Sequence, residues 1–168
     1  SIQVVTPLEE RLHGVYSLLF DRHGLASTRQ TARLVELIKK IRPDIIHLHN
    51  IHGYYLNYEV LFRYLAEADI PVVWTLHDCW SFTGHCTYFD YAGCEKWKIG
   101  CGACPLKIMY PRSLFVDNSR NNYIRKKVAF TSVKNLTVVP VSYWLGDLAK
   151  QSFLRNYPMS IIHNGTDL

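Results

Sequence analysis

The sequence predicts an α/β fold in which a parallel sheet is covered by helices on both faces. Apolar residues at helical spacing alternate with short β-branched runs along most of the 168 residues. The order is helix then strand, repeated four times, which is typical of a parallel sheet with crossover helices. A hydrophobic content of 48% is enough for one core. No apolar run in the sequence reaches the roughly 18 residues that a membrane-spanning helix needs.

Four helices are predicted, and only some of their ends have a recognisable start or stop signal. Residues 1–26 are ambiguous and contain one short β-like run, Ile2–Val5. Ser27–Gln30 has the S-x-x-Q pattern of a capping box, and Arg42-Pro43 ends the helix that follows. The remaining helices are predicted over 60–68, 118–131 and 143–153, the last with Ser142 as its N-cap.

Four short apolar segments are predicted as strands: Asp44–Leu48, Pro71–Leu76, Leu136–Val139 and Met159–Ile162. A long loop, 79–111, follows the second strand and contains all five cysteines. The elements form a single domain with this Cys-rich loop inserted into it.

Polar residues follow each predicted strand, at the sheet edge where open parallel sheets bind ligands. Polar residues also cap strands in any soluble protein, but in this fold we favour a cleft for a polar ligand. His47 and His49 share one strand face with His52 close in sequence, and bonding of these histidines to backbone is favoured over a metal site. The residues that follow the strands are His49, Asn50, His77, Asp78, Ser142, His163, Asn164 and Gly165.

Several catalytic motifs are absent from the sequence. It contains no G-x-G-x-x-G, no G-x-x-x-x-G-K-[ST], no G-x-S-x-G and no D-x-D pair. These absences disfavour a dinucleotide oxidoreductase, a P-loop ATPase and a serine hydrolase.

Four cysteines of the loop, Cys86, Cys94, Cys101 and Cys104, have the spacing C-x7-C-x6-C-x2-C. Four thiolates on a loop with little regular structure predict a structural, tetrahedral Zn²⁺ site, and disulfides and free thiols are the alternatives. A metal would also order so long a loop. Cys79 falls outside the pattern and is predicted to be a buried thiol. Because the cysteines are clustered in a chain with a good core, we favour a reducing compartment.

Basic charge is concentrated in one segment. Residues 107–134 contain seven basic residues and one acidic residue, a net charge of +6 in a chain of net charge +5. Such a segment can attract phosphates, nucleic acid or an anionic membrane surface. A solvated helix face is the equally weighted alternative.

Four motifs occur in a recognisable order: Pro43–Asn50, Pro71–Asp78, Ser142-x-Trp144-Leu145 and Ile162–Asp167. Together they resemble the N-terminal domain of family 4 glycosyltransferases, which have the GT-B fold. The loop from Trp80 to Pro105 resembles a bacterial subgroup that makes capsular, lipopolysaccharide or exopolysaccharide chains.

The resemblance implies two Rossmann-like domains that face a cleft. The N-terminal domain binds the acceptor, which is often lipid-linked, and the C-terminal domain binds the nucleotide-sugar donor. Transfer retains the anomeric configuration and needs no catalytic metal. The resemblance makes His77 a catalytic residue that faces the donor sugar, with Asp78 either orienting His77 or capping a turn. From their positions after the predicted strands, five further residues are expected to line the cleft: His49, Asn50, Ser142, Asn164 and Gly165.

The sequence departs from the family at both ends. The usual first strand with its glycine-rich turn is missing, and the chain stops at the motif where the family crosses to its second domain. We therefore expect 1–168 to be one incomplete N-terminal domain, without the donor domain and inactive alone. We expect a cytoplasmic protein whose basic segment contacts the inner face of the plasma membrane.

Two other functions remain open on the sequence alone. One is a zinc-stabilised binding module without catalysis, with nucleic acid as its ligand. No aromatic RNA-binding sheet motif is visible, so we expect no nucleic-acid partner. The other is a different GT-B enzyme, such as a phosphorylase or an epimerase-like protein.

Overall fold

A three-stranded parallel sheet forms the centre of the protein, of which a computed structural model describes residues 3–165. The strands are β1 (Ile46–Leu48), β2 (Val72–Leu76) and β3 (Leu136–Pro140), in the order β1-β2-β3. Ile46 pairs with Val72, which in turn pairs with Leu136. The predicted α/β class is confirmed. The predicted fourth strand is reduced to a single parallel bridge between Val138 and Met159.

Five helices accompany the sheet: α1 (Pro7–Phe20), α2 (Thr28–Ile41), α3 (Tyr58–Glu67), α4 (Ser119–Phe130) and α5 (Tyr143–Gln151). Four of them were predicted, whereas α1 falls in the ambiguous N-terminal region. The β-like run is wrong over residues 3–5, which form no strand, and Ile2 lies outside the described residues. The true start of α1 is a capping box, in which the Thr6 hydroxyl accepts from the Glu9 amide and the Glu9 carboxylate accepts from the Thr6 amide.

The predicted capping box at Ser27 is wrong, although α2 does begin at the next residue. Ser27 has φ +54°, in the left-handed region, so its side chain does not cap the helix. Its hydroxyl instead hydrogen-bonds His13 Nδ1 at 2.8 Å. Gln30 donates to the Glu9 carboxylate at 2.6 Å rather than to the cap backbone. Both side chains therefore join α2 to α1 instead of closing α2.

Aromatic packing fills the space between the sheet and α4. The ring of Phe130, fully buried, contacts the rings of four other aromatic residues at centroid distances of 4.6 to 6.1 Å. These are Tyr58 and Phe62 of α3, Trp74 of β2, and Trp80 at the start of the loop. The predicted core position of Trp74 is confirmed, and one cluster links helix, sheet and loop.

The Cys-rich loop has its own short elements and its own buried residues. Three 3₁₀ turns cover Trp80–Phe82, Asp90–Ala92 and Lys96–Lys98. Lys126 of α4 is buried beneath the loop, where its ammonium donates to the carbonyls of Trp80 and Thr83 at 2.7 and 3.0 Å. The ammonium also lies 3.5 Å from the ring centroid of Trp80. A charged side chain thus anchors the loop to α4.

The end of α1 is tied to the start of α4. Asp21, at φ +49°, accepts from the Asn118 amide through its carboxylate at 2.7 Å. Its carbonyl accepts from the Asn122 side chain at 2.6 Å, and its carboxylate also bonds His85 Nδ1 at 2.6 Å. The bonds to Asn118 and Asn122 join segments that are about one hundred residues apart in sequence.

Candidate functional site

Two histidines lie side by side at the carboxyl edge of the sheet. His49 follows β1 and His77 follows β2, and the parallel pairing of the strands brings them to the same edge. His49 Nδ1 lies 3.2 Å from His77 Nε2, in an N–H···N hydrogen bond. The pKa of His49 is lowered, mainly because the ring is partly removed from water. Repulsion between a protonated His49 and the neighbouring rings of His47 and His77 lowers it further. Since such a bond needs one acceptor nitrogen, at least one ring is neutral.

His47 supports this pair from within β1. Its Nε2 hydrogen-bonds the Thr75 hydroxyl at 2.8 Å, and its ring centroid lies 4.3 Å from that of His49. The Trp74 indole donates to the His49 carbonyl at 3.3 Å. The expected backbone bonding is therefore wrong for His47, whose ring is bonded to a neighbouring strand's side chain.

Asp78 does not orient His77. One carboxylate oxygen accepts from the Trp80 amide at 2.8 Å, which makes Asp78 the cap of the turn after β2. The other lies 2.9 Å from His52 Nε2, an ion-pair contact without hydrogen-bond geometry. The turn-cap alternative is therefore the one observed. His52 faces Asp78, whereas His47 bonds Thr75 and His49 bonds His77.

A shallow depression brings four of the predicted site residues together. His49, Asn50, His77 and Asp78 all line it. Its volume is about 10 Å³, little more than one water molecule occupies. A depression of this size is too small to enclose a sugar ring.

The other three predicted cleft residues lie outside the depression. The Ser142 hydroxyl accepts from the Leu145 amide at 3.2 Å, so it caps α5 as predicted. Asn164 and Gly165 are exposed. They follow Ile162, whose amide donates to the Pro140 carbonyl at the end of β3. The structure therefore places them near the end of a different strand.

Tyr88 contacts His77 and Trp144 stacks on Tyr88, and the sequence analysis assigned neither residue to the site. The Tyr88 hydroxyl donates to the His77 carbonyl at 3.3 Å. The Tyr88 and Trp144 rings are stacked at 6.2 Å and 23°, and both are about half exposed. Trp144 had a visible signal, because it follows the N-cap of a helix at the carboxyl edge. Tyr88 had none, because its position depends on the path of the Cys-rich loop.

The four cysteines of the predicted zinc site line one small cavity beneath the loop. Its volume is about 10 Å³, and buried Trp97 and Phe89 form part of its wall. All five cysteines of the chain are free thiols, and buried Cys79 lies outside the cavity as predicted. Within residues 3–165, no three His, Cys, Asp or Glu side chains already stand in a metal's ligand arrangement.

The basic segment presents fewer free charges than its sequence indicates. Lys126 is buried, as described above. Arg125 donates from Nε and Nη2 to the two carboxylate oxygens of Glu59, each at 2.7 Å. Of the remaining basic residues, Lys107 is half-buried and four are exposed: Arg112, Arg120, Lys127 and Lys134.

A parallel α/β sheet covered by helices, with polar side chains grouped at its carboxyl edge, is a Rossmann-like lobe. The sequence model of glycosyltransferase family 4 matches residues 4–168 of this lobe. The chain therefore belongs to glycosyltransferase family 4.

One relative with a known name is similar to most of this chain. The chain is 43% identical over 157 residues to a protein of Escherichia coli (strain K12) provisionally named a colanic acid biosynthesis glycosyl transferase, WcaC. The match covers 89% of this chain but only 37% of that relative. No solved structure matches the chain. Among the described residues, none of the helices has the length and apolar character needed to cross a membrane.

Proposed function

We propose that the chain forms the acceptor side of a retaining glycosyltransferase of cell-surface polysaccharide synthesis. The whole enzyme would transfer a sugar from a nucleotide-sugar to a saccharide acceptor carried on a lipid. The observation that carries the proposal is the His49–His77 pair at the carboxyl edge of a family 4 lobe. The name of the E. coli relative supports the polysaccharide context.

The shape of the site supports a role in one half of a cleft. The depression at His77 is too small to enclose a sugar, so a second surface must close over it. The exposed, stacked rings of Tyr88 and Trp144 offer the flat apolar face on which the C–H groups of a saccharide pack. We assign this platform to the acceptor. A bound nucleotide-sugar would make most of its contacts with the second surface.

His77 presents its Nδ1 to the ligand in this proposal, because Nε2 is bonded to His49. We assign the shared proton to His49 Nδ1, and with this assignment His77 keeps its own proton on Nδ1 and offers an N–H to a sugar oxygen. A fixed donor of this kind stabilises charge that develops during transfer without reorganising. No catalytic metal takes part. Asp78 contributes by holding the turn and His52 rather than by touching the sugar.

Ring-nitrogen NMR tests the assignment of the proton. We expect the ¹⁵N shifts of His77 to identify the Nδ1–H tautomer, which is the less common one in water. In His49→Ala, His77 should return to the common tautomer, while His163 serves as the control ring and keeps its shifts. An Nε2–H tautomer of His77 in the unmodified chain would contradict this arrangement.

A chimera tests the function itself. This chain replaces the matched residues of the E. coli relative in a strain that lacks WcaC, and colanic acid is measured. The unmodified chimera should restore the polymer, His77→Ala should abolish it, and the exposed control Lys150→Ala should not matter. A chimera that accumulates like WcaC itself and restores nothing would contradict the proposal.

We also propose that the protein contacts an anionic membrane surface through one face of α4. The surface, here called the basic–apolar face, consists of Arg120, Ile124, Lys127 and Val128 of α4 together with the adjoining Ile99 of the Cys-rich loop. Its residues line a groove of about 870 Å³. Ile99 is 93% exposed and Val128 is 67% exposed, and the two cations lie beside them. Apolar side chains that enter the interface beside cations that meet lipid phosphates would support reversible binding.

Vesicle sedimentation tests the membrane proposal. Binding should require anionic phospholipid and weaken with salt. Arg120→Gln with Lys127→Gln should weaken it about thirtyfold, because each cation contributes about 1 kcal/mol near such a surface. The matched control, Arg29→Gln with Arg33→Gln, removes the same charge from exposed positions on α2. Binding that ignores both salt and anionic lipid would end this assignment.

A further inference from the structure

We propose that Cys86, Cys94, Cys101 and Cys104 bind one Zn²⁺ in the cavity that they share. This metal site is independent of the proposed transfer reaction and has a structural role. Four of the chain's five thiols line a single cavity, although they are spread over nineteen residues of irregular loop.

The cavity has the size and the lining for one metal ion. Its volume of about 10 Å³ is that of a single small atom or molecule. A water there would need two to four polar partners, by the usual rule of buried water. Beside the thiols, the lining consists of Phe89, Trp97 and Leu106, of His85 and Lys96, and of two turn residues, Gly102 and Pro105. Thiolates are the preferred ligands of a structural zinc, at about 2.3 Å from the metal.

The loop holds the two C-terminal cysteines as a metal knuckle would. The Lys96 ammonium donates to the carbonyls of Gly102 and Ala103 at 3.0 and 2.7 Å, which fixes the turn between Cys101 and Cys104. The Cys104 amide donates to the Asp117 carboxylate at 2.6 Å. These bonds orient the backbone that carries the proposed ligands.

The sulfur of Cys101 is also hydrogen-bonded by the backbone of the loop. The Gly84 amide donates to the Cys101 sulfur at 3.1 Å, which is a bond that stabilises negative charge on the sulfur. Only glycine fits at position 84, because an added Cβ would lie 2.0 Å from the Ser119 carbonyl oxygen. The close approach of Gly84 to Cys101 therefore depends on the absence of a side chain.

Zinc binding requires the cysteine side chains to rotate, because their sulfur atoms are not yet in a tetrahedral arrangement. Three of them, Cys94, Cys101 and Cys104, are only half-buried and sit on irregular backbone, so their side chains can rotate onto the cavity. Binding replaces four S–H protons by one Zn²⁺ and releases four protons to solvent, leaving a centre of charge −2. The buried ammonium of Lys126, held at the same loop, offsets part of that charge.

The proposal also accounts for order in the loop. The segment from Cys79 to Asn118 contains no α-helix and no strand among its described residues. It nevertheless buries Trp80, Phe82 and Trp97 almost completely. A metal that links Cys86 to Cys104 closes a loop around Trp97 and reduces the freedom of the unfolded segment.

Metal analysis of the purified 168-residue chain is the direct test. Expressed without a metal-binding tag, the chain should carry about one equivalent of zinc. Exchange for Co²⁺ should give the intense visible absorption of a tetrahedral tetrathiolate. Cys104→Ser should lose the metal or bind it at least about tenfold more weakly. The matched control Cys79→Ser, which removes a buried thiol outside the cavity, should keep it.

Thiol titration separates the proposal from its rivals and does not require Cys104→Ser to fold. In the native, untreated chain the four cavity thiols should be protected, and a chelator should expose them. Less than about half an equivalent of zinc with the four cavity thiols reactive in the untreated chain would overturn the proposal. So would four thiols that stay unreactive in denaturant until a reductant is added, since these are disulfides. A coloured chain that contains iron would overturn it as well.

Discussion

At the residue scale, Gly84 is the position where a single methyl group matters most. Its amide bonds Cys101, and an added Cβ would meet the Ser119 carbonyl oxygen at 2.0 Å. A backbone oxygen cannot move aside as a flexible side chain can. The position therefore tolerates no side chain, for a steric reason rather than a conformational one.

We expect Gly84→Ala to lower the free energy of unfolding by about 3 kcal/mol, the upper part of the range for overpacked sites. The matched control is Gly165→Ala, because an added Cβ at Gly165 has nothing within 4 Å. Urea denaturation of both variants measures the difference. Equal stabilities of the two variants would show that the α4 backbone yields.

His13 gives the protein a stability that depends on pH. Burial lowers the pKa of His13 to about 4, against a smaller opposing effect from the Tyr54 backbone. The unfolded chain takes up the proton near pH 6.5, and the folded chain does not. Stability due to neutral His13 is therefore present above about pH 6.5 and is lost as the pH falls toward 4, by up to about 3 kcal/mol.

The variant His13→Gln should accordingly have a flatter dependence of the free energy of unfolding on pH. The comparison is the loss between about pH 7 and pH 4, measured with urea in both proteins, so that carboxylates common to both cancel. Parallel curves for the variant and the parent would contradict a neutral, buried His13.

The sequence predicted some site residues because their positions follow from strand geometry. His49 and His77 both follow strands, and parallel pairing alone brings them to one edge. Asp78 was equally visible, but its partners were not, because His52 lies on a separate turn. Tyr88 could not be predicted at all. It lies in a loop of irregular backbone, and no local sequence pattern indicates which strand end a residue of such a loop will contact.

At the scale of elements, α3 and α4 are joined by one well-formed ion pair. Arg125 meets Glu59 with two hydrogen bonds of 2.7 Å, and the side chains are 38% and 30% exposed. Bidentate geometry makes the pair stronger than a typical surface contact, but its exposure limits the gain.

A double-mutant cycle on Arg125→Ala and Glu59→Ala should give a coupling of about 1 kcal/mol that shrinks in high salt. The pair Lys150 and Asp147 on α5 is the control, because its 3.7 Å contact is more exposed. Its coupling should be below about 0.3 kcal/mol. A larger coupling in the control pair would contradict the dependence on geometry.

The helices also reveal why local patterns mislead. The S-x-x-Q pattern at Ser27 coincides with a real helix start, but tertiary bonds to His13 and Glu9 take both side chains. The true capping box at Thr6 was overlooked because a β-like run precedes it. Both capping-box patterns can be seen in the sequence. Which of them forms a capping box depends on contacts between α1 and α2, and a local pattern carries no information about those contacts.

At the scale of the whole molecule, Phe130 connects the loop, α3 and the sheet through four aromatic contacts. The alternation of helices and strands predicted the layers, but it did not predict that the loop would share their core. Likewise, the charge count over 107–134 was correct, but it did not separate Lys126 inside the core from the cations on the surface.

We therefore expect Phe130→Ala to lower the free energy of unfolding by about 3 to 5 kcal/mol and to loosen every layer together. The control Phe115→Ala removes the same ring from a site that is 73% exposed and should change stability by less than about 0.5 kcal/mol. Far-UV circular dichroism and tryptophan fluorescence should report one transition. Separate transitions would mean that loop and sheet unfold independently.

The bonds between Asp21 and the start of α4 have a consequence for the order of folding during synthesis. Asn118 and Asn122, which complete the end of α1, are translated about one hundred residues after it. At roughly 5 to 20 residues per second, the nascent α1 waits about 5 to 20 s for these partners. Long-range closure of this kind is slow compared with helix formation. The end of α1 is therefore locked in place only long after α1 itself has been synthesised.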